Sequence, residues 1–261
     1  MMSMNGNKFN IIFTYYGQID HLVNQCKFFS RQPSKFKTNF NVTFINDGYY
    51  DSGLFEDVIK SFEDQFNVEG YRVTEDIGFN SHGCRNLGML RSNYHWNLMV
   101  DIDCYLTDTI IEGIINKELD NNKFYVFKVD VEIDKEKKKY DYYDPKEILK
   151  TIAHPNIFLI NKPCFWTSGG YDIEFTGMRH GDKEFFFALD RDKYDYELFE
   201  YNDQTLVIYL QSPLRQKSYI NTQSSKTPGL QTTIDYVTER NDNIERKLKK
   251  RIISFPWQQV V

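Results

Sequence analysis

The chain has 261 residues and a formal net charge of −5, with a basic excess only near its C-terminal end, which excludes broad nucleic-acid binding. With 21 Phe and 18 Tyr it is too aromatic to be disordered along most of its length, and it is long enough for one large or two small domains. Cys26, Cys84, Cys104 and Cys164 are scattered with no CxxC pair, which excludes a zinc knuckle or a redox motif.

Met1 to Asn10 has no apolar core of the signal-peptide kind, and no segment approaches the roughly 20 apolar residues of a membrane span. A soluble cytoplasmic protein is expected. Phe9 to Thr14 reads as a first strand that breaks at Tyr15-Tyr16-Gly17. Ile19, Leu22, Val23, Cys26 and Phe29 then recur at helical spacing up to Pro33. Asn41 to Ile45 is a second strand turned by Asn46-Asp47-Gly48, and a helix from about Ser52 carries Leu54, Phe55, Val58, Ile59 and Phe62. A short strand at Tyr71 to Val73 and a helix from Cys84 to Tyr94 lead into Trp96-Asn97-Leu98-Met99-Val100-Asp101-Ile102-Asp103. Strand and helix thus alternate up to Asp101, the signature of a parallel sheet with right-handed crossovers.

Past Thr107 a helix over Ile110 to Leu119 and a strand over Lys123 to Val129 are expected, then a charged run at 134–139 that reads as a solvated loop. Asp144-Pro145 caps a short helix, Asn156 to Ile160 is a strand, Ser168 to Asp172 a turn, and a helix with Phe185, Phe186 and Leu189 starts near Gly181-Asp182. Thr205 to Leu210 is a late strand, Gln211 to Gly229 a polar loop, and Ile234 to about Ile252 a last helix with a basic end. A boundary near residue 130 divides an α/β half, 1–130, from a second half, 131–261, within one continuous domain.

Residues i and i+2 of a strand point the same way, so Asp101 and Asp103 are expected to project together from the carboxyl end of a buried strand, where open α/β sheets bind ligands. Two such carboxylates repel unless a cation or proton separates them, and their hard oxygens suit Mg2+ or Mn2+. A solvated turn also produces Asp-x-Asp pairs.

Five ordered motifs make the reading specific: Ile11 to Tyr16; Ile45-Asn46-Asp47-Gly48; Glu75-Asp76-Ile77-Gly78 with Arg85-Asn86-Leu87-Gly88; Val100 to Asp103; and Gly169 to Gly177 followed by Gly181-Asp182. In this order they resemble a GT-A fold glycosyltransferase of the inverting bacterial polysaccharide family, with a galactosyltransferase-like C-terminal motif. The resemblance implies a mostly parallel central sheet flanked by helices and transfer of a sugar from a nucleotide sugar, UDP-sugar favoured and GDP-sugar the second choice, to a glycan or lipid-linked acceptor. Thr14 and Tyr15 would line the nucleoside pocket, Asp47 would accept from the base, and Arg85 and Asn86 would lie near diphosphate and sugar. Asp101 and Asp103 would hold Mn2+ or Mg2+, Asp103 the more direct ligand. Asp182 would be the general base, Gly169 and Gly170 would admit a sugar, and Trp166 would stack on its ring or sit in the core.

This chain departs from the pattern twice. The usual Glu-Asp pair is Gly181-Asp182, and Val207 to Gln211 holds no histidine as a third metal ligand, leaving His154 and His180 as substitutes. A degenerate homologue that binds without turnover is therefore one rival. A nucleotidyltransferase is another, although Thr14-Tyr15-Tyr16-Gly17-Gln18 offers no basic residue for a triphosphate. The basic end of the last helix with Phe255 and Trp257 either touches an anionic membrane surface or is a solvated helix end.

Overall fold

The apolar runs of the first hundred residues pair with one another. A computed structural model describes residues 6–78, 80–130, 153–175, 181–192, 194–201, 204–205, 207–210, 253 and 255–261. Its strands β1 (Phe9–Tyr15), β2 (Phe40–Asn46), β3 (Val68–Val73) and β4 (Trp96–Asp101) lie side by side in the order β3-β2-β1-β4, all parallel. They are linked by α1 (Ile19–Ser30), the short α2 (Ser34–Lys37), α3 (Leu54–Lys60) and α4 (Ser81–Arg91). Every residue of β2 is buried, and so is β4 up to Asp101, as in parallel strands covered on both sides.

After a turn at Ile102-Asp103 come β5 (Cys104–Tyr105), α5 (Asp108–Asn116), β6 (Lys123–Asp130), β7 (Ala153–Asn161), α6 (Lys162–Thr167), a 3-10 turn at Ile173–Phe175 and α7 (Gly181–Arg191). β8 (Asp195–Leu198), β9 (Glu200–Tyr201), β10 (Gln204–Thr205), β11 (Val207–Leu210) and β12 (Trp257–Gln259) complete the described elements. The main sheet runs β12-β3-β2-β1-β4-β7-β6-β11-β5, with β8 on β6, while β9 and β10 form a separate ribbon. Five of its nine pairings are parallel; β7 runs against both β4 and β6, β12 against β3, and β5 against β11. Side chains close two of the helix starts: Thr107 Oγ1 accepts from the Ile110 amide at 3.3 Å, and Asn161 Oδ1 from the Cys164 amide at 2.8 Å.

Alternation along β1 decides what lies near the site. Phe9, Ile11, Phe13 and Tyr15 face a core shared with α1, α2, α3 and α5, whereas Ile12 faces a second core shared with α4, α6 and α7. On β4, Leu98 and Val100 join the first core and Met99 the second, so Asp101 shares the α4 side with Met99. Thr14 is paired in register with Asp101 and lies on that same side.

α4 reaches this face because it carries glycine where it crosses the strands. A Cβ on Gly88 would sit 2.5 Å from Ile12 Cγ2 and 2.9 Å from Ile45 Cδ1. Gly88→Ala is expected to lower stability by about 1–2 kcal/mol: overpacking costs more than the roughly 1 kcal/mol that alanine contributes to helix propensity. A urea midpoint equal to or above the wild type would refute this.

The end of the chain departs from the sequence reading. Gln258, beyond the last expected helix, pairs with Arg72, and β12 closes the open edge of β3. Phe255 is buried, and Trp257 packs edge-on to Tyr71 at 5.9 Å beneath Arg91. These two aromatic residues therefore face the fold. The charged run at 134–139, the helix at 144–145, the polar loop at 211–229 and the helix expected over 234–252 lie outside the described residues, as does His180. Among the described residues no helix is long and apolar enough to cross a membrane.

Candidate active site

The acidic corner forms where β4 ends. Asp101 is the last residue of the strand, and its carboxylate meets the Arg85 guanidinium on α4 in a close ion pair. The antiparallel register that pairs Met99 with Phe158, continued two residues, sets Asp101 opposite Asn156 on β7. Asn156 Nδ2 donates to Asp101 Oδ2 at 3.2 Å, and Arg85 Nη1 donates to Asn156 Oδ1 at 3.3 Å. The Arg85 side chain is 2% exposed and that of Asp101 25%, so the charge pair is buried on one side and reachable on the other. Sequence reasoning does not single out Asn156; its only signal is one amide at the head of an apolar strand.

Asp103 does not share the strand with Asp101. It sits in the turn between β4 and β5, so the alternation that would have aligned the two carboxylates has already ended. The turn is anchored from α1: Gln25 Nε2 donates to the carbonyls of Ile102 at 3.0 Å and Cys104 at 2.7 Å. Burial lowers the pKa of His21, with Asp103 and Asp20 opposing it, and its Nδ1 lies 2.7 Å from Tyr105 Oη. Both carboxylates nevertheless act on the buried Cys104 thiol, which burial, then Asp103, then Asp101 push well up. They are thus near one another at one corner without lying on one strand face.

As a metal site, the corner offers hard carboxylate oxygens and no thiolate, a donor set that suits Mg2+ or Mn2+. Among the described residues no three His, Cys, Asp or Glu gather as a ligand group. Any ion held by Asp101 and Asp103 would complete its shell from diphosphate and water.

Asp47, expected to meet the base, follows β2 and is buried. Its Oδ2 accepts from the Asn80 amide at 2.8 Å, at the entry to α4, and its own amide donates to Tyr15 O at 2.9 Å. Tyr15 itself does not reach this side. Its ring packs on Phe55 in the first core at 5.1 Å, and its hydroxyl donates to Asp51. The neighbouring Tyr16 turns the other way, donating to Asp76 Oδ2 at 3.0 Å and meeting Tyr49 edge-on. Burial, then Asp76, pushes the Tyr16 hydroxyl up to about 12. Gly48 admits this arrangement: its φ is +75°, and a Cβ there would lie 2.5 Å from the Glu75 carbonyl oxygen.

The acceptor-side motif closes over α4. Gly169 and Gly170 adopt φ of +93° and +64°, and Tyr171 comes after them, in the second core. Asn86, expected near the donor sugar, instead grips Tyr171: its Oδ1 accepts from the Tyr171 amide at 2.9 Å and its Nδ2 donates to the Tyr171 carbonyl at 2.7 Å. The Tyr171 ring stacks on Phe185 of α7 at 4.5 Å, with Arg85 5.6 Å from its centroid. Burial pushes the Tyr171 hydroxyl up; Arg85 lowers it, while Asp182 and Asp101 raise it further. One phenol thus feels the ion pair and the candidate base together. Asp182, the second residue of α7, is 8% exposed, and a second buried carboxylate, Glu184, lies two residues on. The spacing Asp182-Lys183-Glu184 is the signal for the latter. One edge of Trp166 packs beneath Gly170, and the residue also lines a cleft of about 570 Å3 with Tyr94, His95 and Lys162 at the amino end of β4.

Two buried groups give the site a measurable pH signature. Burial pushes Asp47 up from 3.8 to about 8, and burial, then Arg85, takes His82 on α4 down from 6.5 to about 3. A raised folded pKa means stability that is present at low pH and lost as pH rises through the folded value; a lowered one means stability lost on acidification. Between 3.8 and 6.5 the two slopes oppose each other, and from 6.5 to about 8 Asp47 acts alone. There the wild type is expected to lose about 1.4 kcal/mol per pH unit from this carboxyl, and Asp47→Asn to remove that slope. Urea unfolding of both proteins across that range checks it; parallel profiles would sink it.

A family model described as glycosyltransferase like family 2 matches residues 11–207. No curated protein matches the chain. Among solved structures, the chain is similar to S. aureus TarS 1-349 in complex with UDP-GlcNAc, with a TM-score of 0.59 and 14% identity over 84% of this chain and 61% of that one. It is similar to the mannosyltransferase PcManGT from Pyrobaculum calidifontis in complex with GDP-Man and Mn2+, at a TM-score of 0.56 and 10% identity over 80% of this chain and 58% of that one. It is also similar to the catalytic domain of Drosophila beta1,4galactosyltransferase 7 in complex with xylobiose, at 0.52 and 12% over 88% and 79%. The chain spans 61% of the TarS 1-349 fragment and 36% of the longer TarS structure. At these identities the likeness is one of fold, an α/β sheet flanked by helices.

Proposed function

The chain belongs to the glycosyltransferase like family 2, and we propose that it transfers a sugar from a nucleoside diphosphate sugar to an acceptor hydroxyl with inversion, aided by a divalent metal. The observation that carries the reading is the convergence at Tyr171, where Arg85 and Asp101 from the donor side meet the field of Asp182 from the acceptor side.

Each residue has a chemical task in this reading. Asp47 accepts from the N–H edge of a base, a demand that uracil and guanine both meet; the family resemblance, not this contact, puts UDP-sugars before GDP-sugars. Thr14, beside Asp101 in register, borders the ribose. Arg85 presents its fork to the diphosphate and already holds Asp101 in place. Asp103 and Asp101 would hold Mn2+ or Mg2+, which would supply Lewis-acid charge to the departing diphosphate. Asp182 takes the proton from the attacking hydroxyl, and a single displacement with one base inverts the anomeric centre. Gly169 and Gly170 leave room for the acceptor, a glycan or a lipid-linked glycan.

The experiment is a panel of UDP- and GDP-sugars with and without Mn2+, read by nucleotide release and thermal midpoint. The matching nucleotide with Mn2+ is expected to raise the midpoint by roughly 5–10 °C at a hundredfold excess over its Kd, and Asp103→Asn to lose the Mn2+-dependent part. Full metal-dependent activity in Asp103→Asn would remove Asp103 from the metal site. Nucleotide binding without release of sugar across the panel would favour a homologue that binds without turnover.

A further inference from the structure

Arg85 and Asn86 are consecutive residues of α4, yet they face different partners. Arg85 reaches the carboxylate at the end of β4, while Asn86 holds the backbone of Tyr171 through both of its hydrogen-bonding groups. Asn86 and Tyr171 are fully buried. Both amide atoms of one side chain are thus committed to one peptide position 85 residues away. The fit leaves no slack, because a Cβ on Gly170 would approach Asn86 Oδ1 to 3.0 Å and Phe165 and Trp166 equally closely. The same Tyr171 lends its ring to Arg85 on one side and to Phe185, one turn after Asp182, on the other.

We propose that Asn86 is a positioning residue that couples the donor site to the acceptor side: it ties Tyr171 to the helix turn that carries Arg85, so that occupation of the diphosphate site stiffens the 169–173 segment and the α7 start behind it. This rests on the donor reading given above. An anion drawn to Arg85 competes with Asp101 for the same fork, and α4 cannot adjust there without moving residue 86. A movement at residue 86 reaches Tyr171 directly, through two hydrogen bonds and not through loose packing. Energetic coupling between two sites needs such a shared element.

The test uses hydrogen exchange of the 169–173 segment in the full chain, with UDP or GDP and Mn2+ as the probes. Asn86→Leu keeps the shape of the side chain and removes both hydrogen bonds. Without nucleotide, exchange of this segment is expected to rise about tenfold in Asn86→Leu, the effect of a lost hydrogen bond. In the wild type a saturating nucleotide lowers the exchange; in the variant, saturated as judged by its thermal midpoint, it no longer does. Gly170→Ala disturbs the same contact from the loop side and is expected to give the same pattern, with the double variant no worse than the stronger single one. Equal exchange in wild type and both variants, with and without bound nucleotide, overturns the coupling while leaving the donor reading intact. If neither UDP nor GDP with Mn2+ stabilises the wild type, the donor reading fails, and the coupling with it.

Discussion

Asp182→Asn is expected to lower sugar transfer by about 10²–10⁴-fold while the donor still binds, the loss typical of removing a general base. The amide keeps nearly the volume and the hydrogen-bonding reach of the carboxylate, but it cannot take a proton from an attacking hydroxyl. The substitution therefore separates two roles that share one position. As a helix-start aspartate, Asp182 contributes only about 0.3–1 kcal/mol through the dipole, and asparagine retains part of that. As a base it sets the rate. Single-turnover transfer and nucleotide titration on the same preparation distinguish them: unchanged turnover with intact donor binding would reduce Asp182 to a helix end. Glu184→Gln is the internal control, because that carboxylate is also buried at the start of α7. If this variant and not Asp182→Asn loses transfer, the base is Glu184.

The broad architecture was legible because the first hundred residues repeat one instruction. Apolar runs alternate with helical stretches, and β1 to β4 emerge within three residues of the expected bounds. The facing of residues within those strands was not legible. Tyr15 and Tyr16 are adjacent aromatics at the end of a run buried on both sides, so hydrophobicity does not alternate, and nothing local says which one turns toward α4. The same applies to Asn86. Every residue of α4 from Ser81 to Met89 is buried, including the polar Ser81, His82, Arg85 and Asn86, so its polar positions do not mark a solvent face from which to read its orientation. The Asp101-Asp103 pair looked like one strand face because spacing alone does not show where a strand stops; β4 ends at Asp101, and the turn gives Asp103 a different direction. β12 is three residues of mixed polarity whose partner β3 lies more than 180 positions earlier, a pairing that only the folded sheet supplies.

Arg85→Met is expected to cost both stability and transfer, and the pair of losses can be taken apart. The guanidinium is 2% exposed and pairs with a carboxylate that is 25% exposed. Removing one partner of a fully buried pair costs about 3–5 kcal/mol, because the other charge is stranded; here Asp101 can reach water, so about 2–3 kcal/mol is expected. Asp101→Asn strands the arginine instead, deeper in the protein, and should destabilise by at least as much: its one carbonyl oxygen can still accept from Arg85, but its NH2 then faces the Asn156 Nδ2 that donated to the carboxylate. The double variant, Arg85→Met with Asp101→Asn, removes both charges and is expected to recover a good part of that stability. Transfer will not recover with it. The double variant has no fork for the diphosphate and one carboxylate fewer at the metal corner, so its activity should be no better than that of the worse single variant. A cycle in which stability recovers and activity does not would show that this buried pair is kept for what it binds. If the two singles lose stability additively and each retains transfer, Arg85 and Asp101 are a structural pair, and the diphosphate site must be sought around Asp103.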